Sequence, residues 1–397
     1  MKITSIDVFA LKPRYMPQAM RGIVCRINTD TELYGYGEAA VSYGKGSMVG
    51  FHMIKELAPV ILGQDPLRTE WLWERMFMDT FWGQSGGPIF YSAMSAIDIA
   101  LMDIKGKAFG VPCYQLIGGK QRDKVRAYAS QLQLGWPEDE ARGLRIAVTP
   151  EDYAREAECA LKEGYTAIKT DFTCVGPDGR MRDHDTMRGI VPKEMIDTAC
   201  ARLEATRKAV GPDVDIIVEC HSHTDALSAV QYARAIEKYG IYYFEEGTYP
   251  LNTDTAKNCA RKVNIPMANG ERIYTRWRYL PFLQDDSIQV IQPEIANCGG
   301  ITECKKICDL AHIYDASVQI HVCGSPISLA AALQVEAAIP NFQIHENHVI
   351  NKFLFTRELG KTDMAAVNGD FIIPDDPGIG QELSDYALQT AYHETVQ

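Results

Sequence analysis

Six short apolar runs in the second half of the sequence, DIIV, IYYF, IPMANG, IQVIQP, SVQI and NFQIH, lead at once into Glu219, Glu245, Glu271, Glu294, His321 and Glu346. The spacings are 26, 26, 23, 27 and 25 residues, the length of one strand, one helix and two short loops. Apolar strands alternating with amphipathic helices at that period build a parallel sheet. In a closed parallel barrel every strand opens its C-terminal end onto one mouth, so the six ionisable side chains share one cavity. Each alone has a plain structural reading, as a solvated loop acid or a neighbour of a helix cap; six in register do not. Five carboxylates crowded without a cation repel one another and lose acidity. A divalent cation resolves that conflict, and oxygen-only ligands select a hard ion such as Mg²⁺.

The chain changes character near residue 120. Before it, ITSIDVFAL, GIVCRINTD and LYGYGEAA read as short antiparallel strands, followed by helical stretches around 48–62 and 88–110. After it the βα alternation takes over, and one unit shows its punctuation well. In VTPEDYAREAECALKEGYTAIKTD, Thr149 is placed to cap a helix, Pro150 takes its first position, Asp152 follows in the first turn and Gly164 stops it before the strand YTAIK.

Composition narrows the function classes. The chain carries 40 basic against 52 acidic residues, a net charge of −12, with no basic stripe for phosphate backbones. Nucleic acid is excluded as an expected partner. Eleven scattered cysteines include no C-x-x-C pair, the nearest approach being Cys304 and Cys308 at helical spacing. They read as reduced, packed thiols of a cytoplasmic protein. No apolar run approaches the roughly 18 residues of a membrane span, and MKITSIDVFALKP reads as a strand rather than a leader.

Three segments carry a family resemblance over nearly the whole chain. GQSGGPIFYSAMSAIDIALMDIKGKAFGVPCYQLIGG is similar to a segment leading into a barrel, NGDFIIPDDPGIGQEL to a closing strand and turn, and NGERIYTRW is the most specific match. The family is the enolase superfamily in its mandelate racemase subgroup, and within it the acid-sugar dehydratases of the D-galactonate dehydratase kind. The resemblance implies an α/β fold: a (β/α)7β TIM-like barrel with an N-terminal α+β capping domain that the C-terminal segment completes. The corresponding boundaries are 1–120 for the capping domain, 121–350 for the barrel and 351–397 for the returning segment.

Carried over position by position, the resemblance makes Glu219, Glu245 and Glu271 the ligands of a single Mg²⁺ in each subunit. Of the pair in FEEG, Glu245 matches the ligand and Glu246 points away. His321 and Glu294 match a general-base dyad, the carboxylate orienting the imidazole. Glu346 matches the group that hydrogen-bonds the substrate carboxylate, and Lys169 approaches the same carboxylate. His221 matches the acid that protonates a departing hydroxyl; side chains two apart on a strand share a face, so it joins Glu219 while Cys220 points away. Racemases of the subgroup place a second lysine where this chain has Asp171, which favours elimination and leaves Asp171 as a substrate contact. Glu219 and Glu294 stand where aspartate is common, and Gly247 where proline usually follows the fourth-strand acids.

The implied chemistry is removal of a proton alpha to a carboxylate by a base near neutral pH, with the ene-diolate charge met by the metal ion. Loss of the neighbouring hydroxyl as water then yields a 2-keto-3-deoxy acid from an aldonate or aldarate. The substrate's distal end is expected against Arg21, Tyr43 and Lys45 of the capping loops and against Trp82. The expected partners are this small sugar acid and further copies of the chain, with no membrane. Racemisation or epimerisation at the same site, and sugar-acid binding without turnover, are the alternatives within this fold. His221-x-His223 also permits a zinc amidohydrolase, but such pairs belong on a first barrel strand and two strand-like runs, VRAYAS and YTAIK, precede this one. GYGEAA at 35–40 and GKGS at 44–47 read as turns rather than phosphate loops.

Overall fold

The computed structural model describes residues 1–13, 22–41, 45–137, 144–183 and 185–397. Arg21 and Tyr43, two of the expected substrate contacts, lie outside them. No helix among the described residues is long and apolar enough to cross a membrane.

The first module is an antiparallel sheet of β1 (Ile3–Ala10), β2 (Ile23–Thr29) and β3 (Tyr34–Ala39), backed by helices α1 (Ser47–Ile61), α2 (Thr69–Asp79) and α3 (Pro88–Phe109). Pro88 opens α3 at its first turn, where a missing N–H costs nothing, and Gly110 closes it in the left-handed conformation at φ 67°. The GYGEAA segment is not a turn: Gly35 and Gly37 lie within β3 and face α3. A Cβ on Gly37 would stand 1.9 Å from the carbonyl oxygen of Ala96, so the glycines are there to let a strand backbone touch a helix backbone. Helix α2 was not among the expected elements, although Leu72, Trp73, Met76 and Phe77 recur at helical spacing.

Eight parallel strands make the barrel: β4 (Lys124–Ser130), β5 (Ala167–Thr170), β6 (Asp215–Glu219), β7 (Ile241–Glu245), β8 (Met267–Asn269), β9 (Val290–Ile291), β10 (Ser317–Val318) and β11 (His345–His348). They pair in sequence order, β11 returns to pair with β4, and a parallel bridge between Val318 and Phe342 closes the circle. Seven buried residues, Tyr128, Ala167, Ile217, Tyr243, Ala268, Val290 and Ile344, pack against one another as one apolar cluster in the interior, so the barrel is a packed core. The helix Pro150–Lys162 starts with the expected Thr149 cap, which the structure completes as a capping box with Asp152, and Gly164 follows it at φ 89°.

The C-terminal chain serves both modules. β12 (Asp370–Ile372) pairs with β4 at the foot of the barrel, and β13 (Tyr392–Val396) pairs antiparallel with β1. The seam between module and barrel is built on polar groups as well as apolar packing. Glu38, at the end of β3, accepts from the backbone N–H of Ser325 at 3.0 Å and of Ser328 at 3.1 Å, capping the helix Pro326–Ala338. Asp98 of α3 accepts from Thr302 N–H at 2.9 Å, at the start of the helix Gly300–Ile313. Trp73 of α2 donates to Gly299 O at 2.9 Å.

Candidate active site

The barrel mouth begins with a lysine among carboxylates. Lys169, on β5, is 1% exposed, and its Nζ lies 2.6 Å from Glu245, 3.1 Å from Glu219 and 3.1 Å from Glu346. Glu219 and Glu245 are register partners at the ends of β6 and β7, which is why one ammonium reaches both. Burial alone would raise Glu219, but the charges of His221 and Lys169 outweigh it and hold the carboxyl near 2. Glu346 is likewise held near 2 against burial by Lys169 and His321. Glu245 takes the opposite course: burial, reinforced by the charge of Glu219, pushes it well above its ordinary range. Its Oε2 is buried with no hydrogen-bond partner.

Beside this cluster stands the expected dyad. Nδ1 of His321 is 2.7 Å from Glu294 Oε2, and an isolated parallel bridge joins the two residues just beyond β9 and β10. Glu294 uses its other oxygen to accept from Ala296 N–H at 2.9 Å, so its orientation is set by its own turn. His321 Nε2 lies 2.8 Å from Glu271 Oε2 and 3.7 Å from Glu346 Oε2. Burial would lower the imidazole, and these carboxylates, Glu271 first, raise it well above its ordinary value. Arg272 pairs with both Glu246 and, at 2.6 Å, Glu271. Against burial, Arg272 and then His321 hold the Glu271 carboxyl well below its ordinary pKa.

Glu246 does not point away into a neutral wall. Its backbone turns into the left-handed region at φ 48°, and the carboxylate is buried against Arg272. Burial and the nearby Glu271 raise it to about 7.

His221 reaches the mouth by a route that strand alternation does not describe. β6 ends at Glu219, and His221 and Ser222 both adopt left-handed conformations, φ 47° and 56°. Positive φ at consecutive non-glycine residues costs roughly 1 to 3 kcal/mol each and marks a backbone held by its surroundings. Glu219 Oε1 accepts from the N–H of Cys220 at 3.0 Å and of His221 at 2.8 Å, bracing that turn. The ring then lies with Nδ1 3.4 Å from Asp171 and Nε2 4.0 Å from Glu219. Burial lowers the imidazole, while the Glu219 charge and the Asp171 contact more than offset this and bring it to about 9. Cys220 is buried on the other side, and His223 stacks obliquely at 5.9 Å from the His221 ring.

His321, Glu294, Glu271 and His221 line one open cavity of about 400 Å³, with Arg272, Gln131, Asn297, Tyr274 and His348 adding polar groups and Val41, Ile89, Leu134 and Ile350 apolar ones. Of the expected substrate contacts, Lys45 is exposed and Trp82 is 70% exposed, and neither lines the cavity. Asp171 is wholly buried and turned toward His221 instead of the open space. Sequence reading left Arg272, Gln131 and His348 without roles, although Arg272 directly follows a proposed ligand and Gln131 follows the strand end of β4 as the acids follow theirs. His348 accepts from Ile350 N–H at 3.1 Å, and burial lowers its imidazole to about 4, so its ring stays neutral. Glu346 accepts at both oxygens, from Ser130 Oγ at 2.7 Å and Val322 N–H at 3.2 Å. As an ionised acceptor it anchors Lys169; a hydrogen bond from it to a carboxylate would need a proton that Lys169 opposes.

Residues 13–118 match the mandelate racemase / muconate lactonizing enzyme N-terminal domain, and residues 152–387 the enolase C-terminal domain-like family. The chain belongs to the enolase superfamily. Among its relatives in that superfamily, the D-galactonate dehydratase of Pectobacterium atrosepticum is 31% identical over 391 residues, 97% of this chain and 93% of that protein. The D-xylonate dehydratase of Haloferax volcanii is 33% identical over 362 residues, 91% of this chain and 83% of that one. A crystal structure of an enolase superfamily member from Salmonella Typhimurium superposes with a TM-score of 0.96 at 48% identity, each chain covered in full.

Dehydratases of the enolase superfamily generally use Mg²⁺. The donor chemistry of this mouth fits such an ion: Glu219, Glu245 and Glu271 offer only oxygens, and Glu245 Oε2 is a buried acceptor with nothing to accept. Their present orientation serves the protein's own cations, Lys169 and Arg272. No three metal-capable side chains among the described residues converge on one point.

Proposed function

We propose that the protein is a sugar-acid dehydratase that removes the proton alpha to the carboxylate of an aldonate or aldarate and eliminates the 3-hydroxyl as water. The observation that carries this reading is a pair of imidazoles, each backed by its own carboxylate, on opposite elements of one cavity: His321 on Glu294 at 2.7 Å and His221 on Asp171 at 3.4 Å. One imidazole takes a proton and the other returns one, which is what an elimination requires and a simple binding site does not. The names of the two curated dehydratases above support the substrate class.

Glu219, Glu245 and Glu271 would hold one Mg²⁺. When bound, that ion supplies positive charge for the oxygens of the substrate carboxylate as they gain electron density. Lys169, wedged among three carboxylates, adds a cation on the same side. Nε2 of His321 faces the cavity and takes the alpha proton, while Glu294 holds Nδ1 and supports the imidazolium that results. The C3–O bond then breaks with its electron pair going to oxygen, and His221 Nε2 delivers a proton so that water leaves. The enol product tautomerises to the 2-keto-3-deoxy acid. Asp171 fills the position where a racemase carries its second lysine, and it is buried away from the cavity, so no second base opposes His321 there.

The test is a library of aldonates and aldarates incubated with the protein and Mg²⁺ in D₂O. Formation of a 2-keto acid from a subset is expected. Exchange with inversion and no keto product would make it an epimerase, and neither reaction across the library would end the enzyme reading. His321→Asn should lower both exchange and dehydration by about a thousandfold. His221→Asn should abolish dehydration while exchange at the alpha carbon continues.

A further inference from the structure

We propose that Asp171, Gln133 and Gln131 form a closed hydrogen-bond circuit that positions the His221 ring and fixes which of its nitrogens carries the proton. This rests on the acid role given to His221 above and adds residues that the role alone does not require.

The circuit is set by groups whose donor or acceptor character is beyond choice. The backbone N–H of Asp171 can only donate, and it reaches Gln133 Oε1 at 3.2 Å, where Thr170 Oγ1 also donates at 3.1 Å. Gln133 therefore presents its NH₂ to Gln131 Oε1, a contact the structure shows. With its oxygen so used, Gln131 presents its own NH₂ to His221 Nε2 at 3.1 Å. An amide NH₂ has no lone pair to offer, so the ring nitrogen facing it must accept. The proton then resides on Nδ1, which donates to Asp171 Oδ2 at 3.4 Å. Asp171 cannot turn away, because its Oδ1 is held by Thr173 N–H at 2.8 Å, Thr173 Oγ1 at 2.7 Å and Cys174 N–H at 2.9 Å.

The backbone is bent to serve this arrangement. Gln131 sits at φ 69°, a left-handed conformation at a non-glycine residue, and its N–H is tied to Lys169 O at 3.1 Å. Gln133 and Asp171 are 2% and 0% exposed, so water cannot replace a missing partner at those two residues, while Gln131, at 7%, sits where the circuit meets the cavity. The form of His221 that the circuit accepts is neutral with a free pair on Nε2. That is the form left when Nε2 has given its proton to a departing hydroxyl, and Gln131 stands ready to cap it. Gln131, Gln133 and Asp171 are thus positioning residues for the elimination step.

Two readouts test the circuit, one of which needs no substrate. In protein with ¹⁵N-labelled histidine, measured where the ring is neutral and assigned by difference from His221→Asn, the His221 nitrogens should show Nδ1 protonated. Asp171→Asn retains the acceptor for Thr173 and Cys174 and turns an NH₂ toward Nδ1, so both ring nitrogens then face donors and the proton should lose its fixed place on Nδ1, showing as a mixture of the two tautomers. With a turned-over sugar acid, Asp171→Asn and Gln131→Leu should each lower kcat for dehydration by about a hundredfold, the low end of a positioned acid's contribution. KM and the exchange catalysed by His321 should hold. If Asp171→Asn does not fold, Gln131→Leu decides. An unmoved ring proton, or dehydration unchanged in both variants, overturns the circuit. A wild-type protein that shows the proton shift but converts no sugar acid overturns the proposed function and leaves the circuit standing.

Discussion

The barrel mouth and the seam between capping module and barrel both bury carboxylates, and they neutralise them by different means. At the mouth, Glu219 and Glu346 meet the full charge of Lys169 at 3.1 Å, and Glu271 that of Arg272 at 2.6 Å. All three stay ionised, held below their ordinary pKa range. At the seam, Glu38 and Asp98 meet helix N–H groups, and burial outweighs those dipoles, raising both to about 7. A whole cation keeps these three buried carboxylates charged, whereas Glu245 beside Lys169 and Glu246 beside Arg272, each also facing a charged neighbouring carboxylate, are raised despite their cations. A few amide dipoles leave a buried carboxylate holding its proton more tightly than usual.

The largest effect should come from removing the mouth's cation. Lys169→Met takes from Glu219, Glu245 and Glu346 the cation they share, leaving Glu219 with His221 and Glu346 with His321, and breaking a buried pair in this way costs roughly 3 to 5 kcal/mol. Urea denaturation in chelator should show that loss; an unchanged midpoint would mean the mouth protonates its acids as the seam does. The second prediction concerns Glu38. Its folded form keeps a proton up to about pH 7, whereas its ordinary value is 4.5. The folded state therefore holds the extra proton between those limits, and stability falls as pH rises through that window, by about 3 kcal/mol in all. Glu38→Gln should flatten that part of the stability–pH curve, and an identical slope in the variant would remove the seam's half of the contrast. The smallest effect is saturable: Mg²⁺ at a hundredfold excess over its Kd should add about 2.7 kcal/mol of stability. Glu245→Gln should lose it and Glu38→Gln should keep it, and equal responses in the two variants would place the ion elsewhere.

The repeat of apolar run and acid made the barrel and its mouth legible because strand length and side-chain type are local properties. The cap at Thr149 was legible for the same reason. What escaped depends on the backbone between the strand and the site. Three residues after strand ends, Gln131, His221 and Glu246, take left-handed conformations, so their directions are set by the turn and not by strand alternation. His221 arrives in the cavity anyway; Glu246 turns onto Arg272, and Gln131 onto the His221 ring. Asp171 was read as a substrate contact because only its place after β5 was visible, not the three donors that hold it inward. The capping contacts were the least legible, since which loop residues face a barrel mouth is set by docking, and Trp82 remains outside the cavity.

Strand β1 lies between β2 and β13, with Ile6 opposite Ile27 on one side and Val396 on the other. On the ribosome those two neighbours arrive far apart in time. At five to twenty residues per second the delay is on the order of twenty to eighty seconds, during which the whole barrel is made while one edge of β1 stays bare. An open edge pairs with whatever strand it meets, including the same strand from another nascent chain. The closing strand thus acts as a late lock on the fold, and a ribosome stalled before Tyr392 would release a protein with its barrel complete and its first sheet unsealed.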